Sequence, residues 1–89
     1  MIWTEPAIAE LEAVYDFLSP LNPAAAHRLA EELVLAADSL ADFPHRGRSG
    51  RLPGTRELVV IRPYLIIYRV AGDTVLILRI WHSAQDRPE

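Results

Sequence analysis

Nine arginines and no lysine supply the cationic chemistry of this 89-residue chain, and all but Arg28 fall at or after Arg46. A guanidinium presents a planar fork of donors that matches carboxylate and phosphate oxygens, so this choice points to recognition of oxyanions. Arg56, Arg69 and Arg79 lie within runs of alternating apolar residues. An unpaired charge is too costly to bury there and must reach solvent, a counter-charge or a ligand. Arg62 falls in the turn between two such runs, while Arg46, Arg48 and Arg51 crowd a glycine-containing loop suited to wrapping an anion. His82 is the candidate acid–base group, because an imidazole with an unperturbed pKa of about 6.5 moves protons near neutral pH. Asp86 follows four residues later and would orient that imidazole if the segment turns helical.

Other reactive constellations are missing. His27 and His45 have no partner in the sequence, and three scattered histidines without cysteine do not make a metal site. Ser49 and Ser83 lack the glycine frame of a nucleophile elbow, and there is no phosphate loop or dinucleotide fingerprint. The expectation is a protein with no metal and no organic cofactor. Trp81, beside Arg79 in space if the strand is regular, is a candidate contact residue when exposed.

The elements that must position these groups follow from the spacing of apolar residues. Leu58 and Val60 alternate with Val59 and Ile61; Tyr64, Ile66 and Tyr68 alternate with Leu65, Ile67 and Arg69. A third run sets Val75, Ile77 and Arg79 against Leu76, Leu78 and Ile80. β-Branched and aromatic residues at period two, bounded by Arg62-Pro63 and Gly72-Asp73, predict a three-stranded meander. Upstream, Thr4 is a fitting N-cap ahead of Glu5-Pro6, and Ile8, Leu11, Val14, Tyr15 and Leu18 recur at helical spacing. Asn22-Pro23 starts a second helix whose apolar face is Ala26, Leu29, Leu33, Ala36, Ala37 and Leu40, ending at Phe43-Pro44. Met1 to Thr4 reads as a short first strand, and His45 to Thr55 as a loop, since Gly47, Gly50, Pro53 and Gly54 forbid regular structure.

Length and charge bound the reading further. A chain of 89 residues makes one domain, spanning 1–89, with a core two layers deep. The first residues lack the basic start and apolar stretch of a signal peptide, and no run approaches a membrane span, so a cytoplasmic protein is expected. The net charge of −3 conceals an acidic first half and a basic second half. A basic sheet face points to an acidic partner or a nucleic acid.

The assembled order is β-αα-βββ, with Phe43-Pro44, Gly47-Arg48, Pro53-Gly54-Thr55-Arg56-Glu57-Leu58, Tyr64, Tyr68-Arg69-Val70, Ile77-Leu78-Arg79-Ile80 and His82 in sequence. It resembles the RelE/ParE superfamily of type II toxin–antitoxin toxins, in its ParE-like (plasmid stabilisation) branch, over nearly the whole chain. The resemblance implies an α+β fold in which an antiparallel helical hairpin covers the sheet, and a toxin neutralised by a cognate antitoxin. RelE-like members cleave mRNA on the ribosome; ParE-like members inhibit DNA gyrase. Anchored on Tyr68, the cationic positions of the nuclease type fall on Arg56, Leu58 and Leu65. Two of these cannot stabilise a phosphorane dianion. The resemblance therefore favours a gyrase-directed toxin in which Arg56, Arg62, Arg69, Arg79 and Trp81 contact antitoxin or target. The alternatives are a nuclease using His82, Arg56 and Arg79, or an inactive member that only binds its antitoxin.

Overall fold

The structure, a computed structural model, describes residues 1–83. Strand β1 (Ile2–Trp3) leads into helices α1 (Glu5–Leu18) and α2 (Pro23–Ser39). Four strands follow: β2 (Arg48–Ser49), β3 (Arg56–Ile61), β4 (Tyr64–Ala71) and β5 (Thr74–His82). They form one sheet in the order β1-β5-β4-β3-β2, antiparallel except for the parallel pair β1–β5. Both helices lie on one face, α1 over β5 and α2 over β3.

Local sequence explains the helix starts. The Thr4 hydroxyl accepts from Ala7 N at 3.4 Å and donates to Ile77 O at 2.8 Å, so a single side chain caps α1 and fastens it to β5. Asn22 Oδ1 accepts from Ala25 N at 3.1 Å, with Pro23 opening α2 where a missing N–H is harmless. Helix α2 buries Ala26, Leu29, Leu33 and Ala37 as its periodicity predicts. It ends at Ser39 rather than at Phe43-Pro44, and Leu40 to Phe43 continue as turns whose amides reach back to Ala37, Asp38 and Ser39 carbonyls. On α1 only Ala7 is fully buried; Leu11, Val14 and Leu18 are half-buried, and Ile8 is exposed instead of joining the core.

The meander forms with two departures in phase: Val59 pairs with Leu65 but Ile61 with Tyr64, which leaves Val60 as an extra residue on β3, and a second bulge lies on β5. Ile67 pairs with Arg79, but Tyr68 pairs with Ile77, which leaves Leu78 as an extra residue on β5. The bulge lets Ile77 and Ile80 both pack under the helices with Leu58, Ile66, Tyr68 and Val75. It moves Arg79 away from Val75 and Ile77, with which strict alternation grouped it, to the opposite face beside Ile67. Leu65, Ile67 and Trp81 make a small second cluster on that face. The segment read as a loop contains the short strand β2, held on β3 by the pairs Arg48–Glu57 and Ser49–Arg56.

Tyr68, fully buried, ties the helix-to-sheet connection to the centre of the sheet. Its hydroxyl donates to Pro44 O at 2.7 Å and accepts from Gly47 N at 2.9 Å. Replacing Tyr68 by Phe keeps the ring and strips both bonds, leaving a buried amide and a carbonyl unmet. Tyr68→Phe is expected to lower unfolding stability by about 2 kcal/mol in urea titrations, with no change in slope.

Candidate functional site

The arginines divide into those engaged inside the fold and those presented to solvent. Arg79 forks onto Glu10 of α1, Nε to Oε1 at 2.9 Å and Nη2 to Oε2 at 2.6 Å. The same Glu10 Oε1 accepts the backbone N–H of Ile80 at 3.0 Å, on the stretch of β5 that β1 does not reach. Arg56 Nη1 donates to Gly47 O at 2.9 Å, and Arg46 Nη1 to Ser39 Oγ at 2.7 Å. Arg62 and Arg69 are exposed and have no ion-pair partner among the described residues. Arg56 and Arg62 stand at opposite ends of β3, about 20 Å apart by strand rise, so the expected contact set does not converge on one point.

The basic loop is organised around an internal anion. Glu57 is 3% exposed, and its carboxylate accepts from Arg48 Nη2 at 3.2 Å and from Arg51 N at 3.1 Å. Arg51 Nε lies 4.0 Å from its other oxygen. Arg48 and Arg51 therefore answer a carboxylate supplied by β3 itself. Trp81, expected as a contact residue, is buried instead, with the Arg79 guanidinium carbon 5.6 Å from its ring centroid. Burial in the second cluster removes the ring from any partner's reach, although the predicted neighbourhood of Arg79 and Trp81 is present.

The nuclease positions do not assemble into a catalytic set. Leu58 is 7% exposed within the helix-side core, whereas Leu65 is 3% exposed in the cluster on the other face. His82 is half-buried at the end of β5, paired with Tyr64, the two rings edge-on with centroids 5.3 Å apart. Asp86, its expected orienter, lies outside the described residues, as does Arg87. His27 meets the Tyr15 hydroxyl at 3.0 Å across the helical hairpin. No group of His, Asp or Glu among the described residues is arranged to hold a metal ion.

A feature the sequence did not announce runs along the outer edge of β3. β2 covers only Arg56 and Glu57, so the rest of β3 has no strand beside it. Between that edge and α2 lies a groove of about 360 Å³ formed by Glu32, Leu35, Ala36, Arg46, Leu58, Val59 and Val60. Arg46 also borders a second hollow of about 720 Å³ that includes Phe43 and Asp42. Leu35 and Phe43 are 60% and 66% exposed, and each lies beside one of these hollows. The one available signal was Leu35 itself, which falls off the buried stripe of α2.

A β-αα-ββββ chain with this sheet order matches, over residues 1–87, the model of the family described as ParE toxin of type II toxin–antitoxin system, parDE. The chain belongs to the ParE toxin family. Toxin RelE2 of Caulobacter vibrioides is 47% identical over 85 residues, which is 96% of either chain. A putative toxin, Y4kP, of Sinorhizobium fredii is 39% identical over 98% of this chain and 91% of its own length. The solved structure of a chromosomal ParDE system from P. aeruginosa superposes with a TM-score of 0.77 at 34% identity, covering 88% of each chain. This protein is thus a type II toxin of the RelE/ParE superfamily with the α+β architecture of a ParDE toxin. No helix among its described residues is long and apolar enough to cross a membrane.

Glu10 is the acid that most directly shapes this toxin's surface, since it joins α1 to β5 and satisfies a strand-edge donor. Glu10→Ala is expected to speed amide hydrogen exchange at Ile80 about tenfold and to cost about 1 kcal/mol of global stability. Exchange followed residue by residue by NMR checks both numbers, and unchanged protection at Ile80 would refute the assignment.

Proposed function

We propose that this toxin arrests growth by binding a protein target in the ParE manner, with DNA gyrase as that target, and that it performs no RNA chemistry of its own. The observation that carries the reading is the burial of Leu58 and Leu65 on opposite faces of the sheet. In-line cleavage of RNA needs several charged donors converging on one phosphate, and rigid apolar packing at two of the positions leaves no room for them. The charge of −3 and the internal neutralisation of Arg48, Arg51 and Arg79 further weaken any hold on a ribosome-bound message.

Neutralisation is proposed to occur where β3 is open. An antitoxin segment that extends the sheet alongside Val59 would meet the exposed Leu35 and Phe43 with its own apolar residues, and Arg46 with an acidic one. Exposed Arg62 and Arg69 are free to guide an acidic partner toward this face or to contact the target. The second reading is a ribosome-dependent mRNA endonuclease in which Arg56 and Arg79 hold phosphate and His82 transfers protons. The relative named RelE2 favours it. An inactive member would show neither activity.

Two measurements separate these outcomes. Purified toxin is expected to leave mRNA intact in a translating extract and to accumulate gyrase-linked DNA breaks, with His82→Ala as toxic as the parent protein. Specific message ends that vanish in His82→Ala would overturn the proposal in favour of the nuclease. For the antitoxin site, Val59→Asp or Leu35→Asp should weaken capture by the cognate antitoxin at least about tenfold in calorimetry, since each places a charge in a desolvated contact.

A further inference from the structure

The groove between α2 and the open part of β3 has apolar walls and one charge of each sign. Leu35, Ala36, Val59 and Val60 supply the apolar surface, and Glu32 and Arg46 are its charged residues. Both are exposed, and neither has an ion-pair partner among the described residues. The Arg46 guanidinium is held at the end of α2, where Nη1 donates to Ser39 Oγ at 2.7 Å. Glu32 lies about two helical turns before Ser39, so the two charges are separated by about 10 Å along the helix axis.

Backbone pairing alone cannot choose among partner segments here. β2 covers Arg56 and Glu57, and the register shift at Val60 interrupts the edge shortly beyond them. An incoming strand therefore meets a short ladder whose donors and acceptors repeat in every register and accept either strand direction. Strand addition takes affinity from such bonds and selectivity from side chains. The side chains that make one end of this groove differ in charge from the other are Glu32 and Arg46. Docking desolvates both, which raises the cost of a like charge placed opposite either one. The bond to Ser39 keeps Arg46 at its own end of the groove.

We infer that Glu32 and Arg46 determine which partner segment the groove accepts and the direction in which that segment lies. The segment carries a basic residue for Glu32, an acidic residue for Arg46 and apolar residues between them. In extended conformation a span of about 10 Å corresponds to roughly three residues. The inference rests on the proposed docking of the antitoxin along β3 and adds a charge order to it.

Calorimetry with the cognate antitoxin tests the charge order. Glu32→Arg and Arg46→Glu should each weaken capture at least about tenfold, because like charges then meet in a desolvated contact. Charge reversals made one at a time along the antitoxin's docking segment should restore each variant. A basic residue turned acidic should rescue Glu32→Arg, and an acidic residue turned basic should rescue Arg46→Glu. The two rescuing positions should lie about three residues apart. Asp73→Arg, at the β4–β5 turn, makes the same change in net charge as Glu32→Arg and should leave affinity within about twofold. Capture unchanged in both groove variants while Val59→Asp weakens it would overturn the charge selection and leave the docking reading standing. Capture undiminished in Val59→Asp as well would overturn both. Weakening that no antitoxin reversal rescues would overturn the selection. So would a toxin dimer in sedimentation that Glu32→Arg dissolves, since the occupant would then be a second copy.

Discussion

The Tyr68 hydroxyl, lodged between the Pro44 carbonyl and the Gly47 amide, fixes where the helical layer hands the chain to the sheet. Tyr68 belongs to the central strand and is fully buried, so the connection from Leu40 to Arg48 is tied to the middle of the sheet. The contact also dictates a residue type. A β-carbon at Gly47 would stand 2.8 Å from both that hydroxyl and the Glu57 carbonyl, so only glycine lets the chain pass. Arg56 then reaches the Gly47 carbonyl, and Arg48 reaches Glu57, because Gly47 is held where it is. The hollow beside Phe43 and the groove along β3 both border this single connection at Arg46.

Charge placement follows from the same geometry. An arginine-rich half facing an acidic half suggests a broad positive surface, yet Arg48, Arg51 and Arg79 meet carboxylates of the chain itself. Glu57 is nearly inaccessible, and an ion of that kind persists only because several donors surround it. Its value is therefore chiefly geometric: it specifies the loop's path more than it adds to stability. The Arg79–Glu10 fork has a comparable role between layers, crossing from β5 to α1. Among the described residues, the arginines that meet no carboxylate are Arg28, Arg46, Arg56, Arg62 and Arg69.

Much of this was legible in the sequence because it depends on local rules. Thr4 and Asn22 are N-caps with proline just inside each helix, and both helices start where those residues require. Tyr64, Ile66 and Tyr68 were grouped by period two, and they do face the helices together. What failed was non-local. The extra residue at Leu78 re-aims Arg79, and nothing in an unbroken Val-Leu-Ile-Leu-Arg-Ile run distinguishes a bulge from regular strand. After α2 ends at Ser39, Leu40 enters the core while Ala41 to Phe43 turn on the surface, a context no helix-stop residue signals. The burial of Trp81 and the ion pairs of the loop arginines depend on which face each strand presents, and a single-residue slip reverses that. The order of motifs did carry the family, because order survives such slips.

The two edges of the sheet are managed in opposite ways, and that contrast bears on how a toxin of this family is controlled. At β5 the edge is closed: β1 pairs with Leu76 and Ile77, Thr4 bonds Ile77 and Leu78 carbonyls, and Glu10 takes the Ile80 amide. A long hydrophobic strand left bare would recruit other chains, and here backbone, hydroxyl and carboxylate groups suppress that hazard in turn. At β3 the cover stops after two residues, and from Leu58 to Ile61 the edge is interrupted only by the bulge at Val60. Val59, Leu35 and Phe43 are exposed beside it, so the apolar surface needed by an added strand lies next to the backbone groups that would pair with it. An edge guarded by one bulge is tolerable in a protein that is kept in complex with a partner. On the proposed function, the antitoxin supplies in trans the protection that β3 lacks.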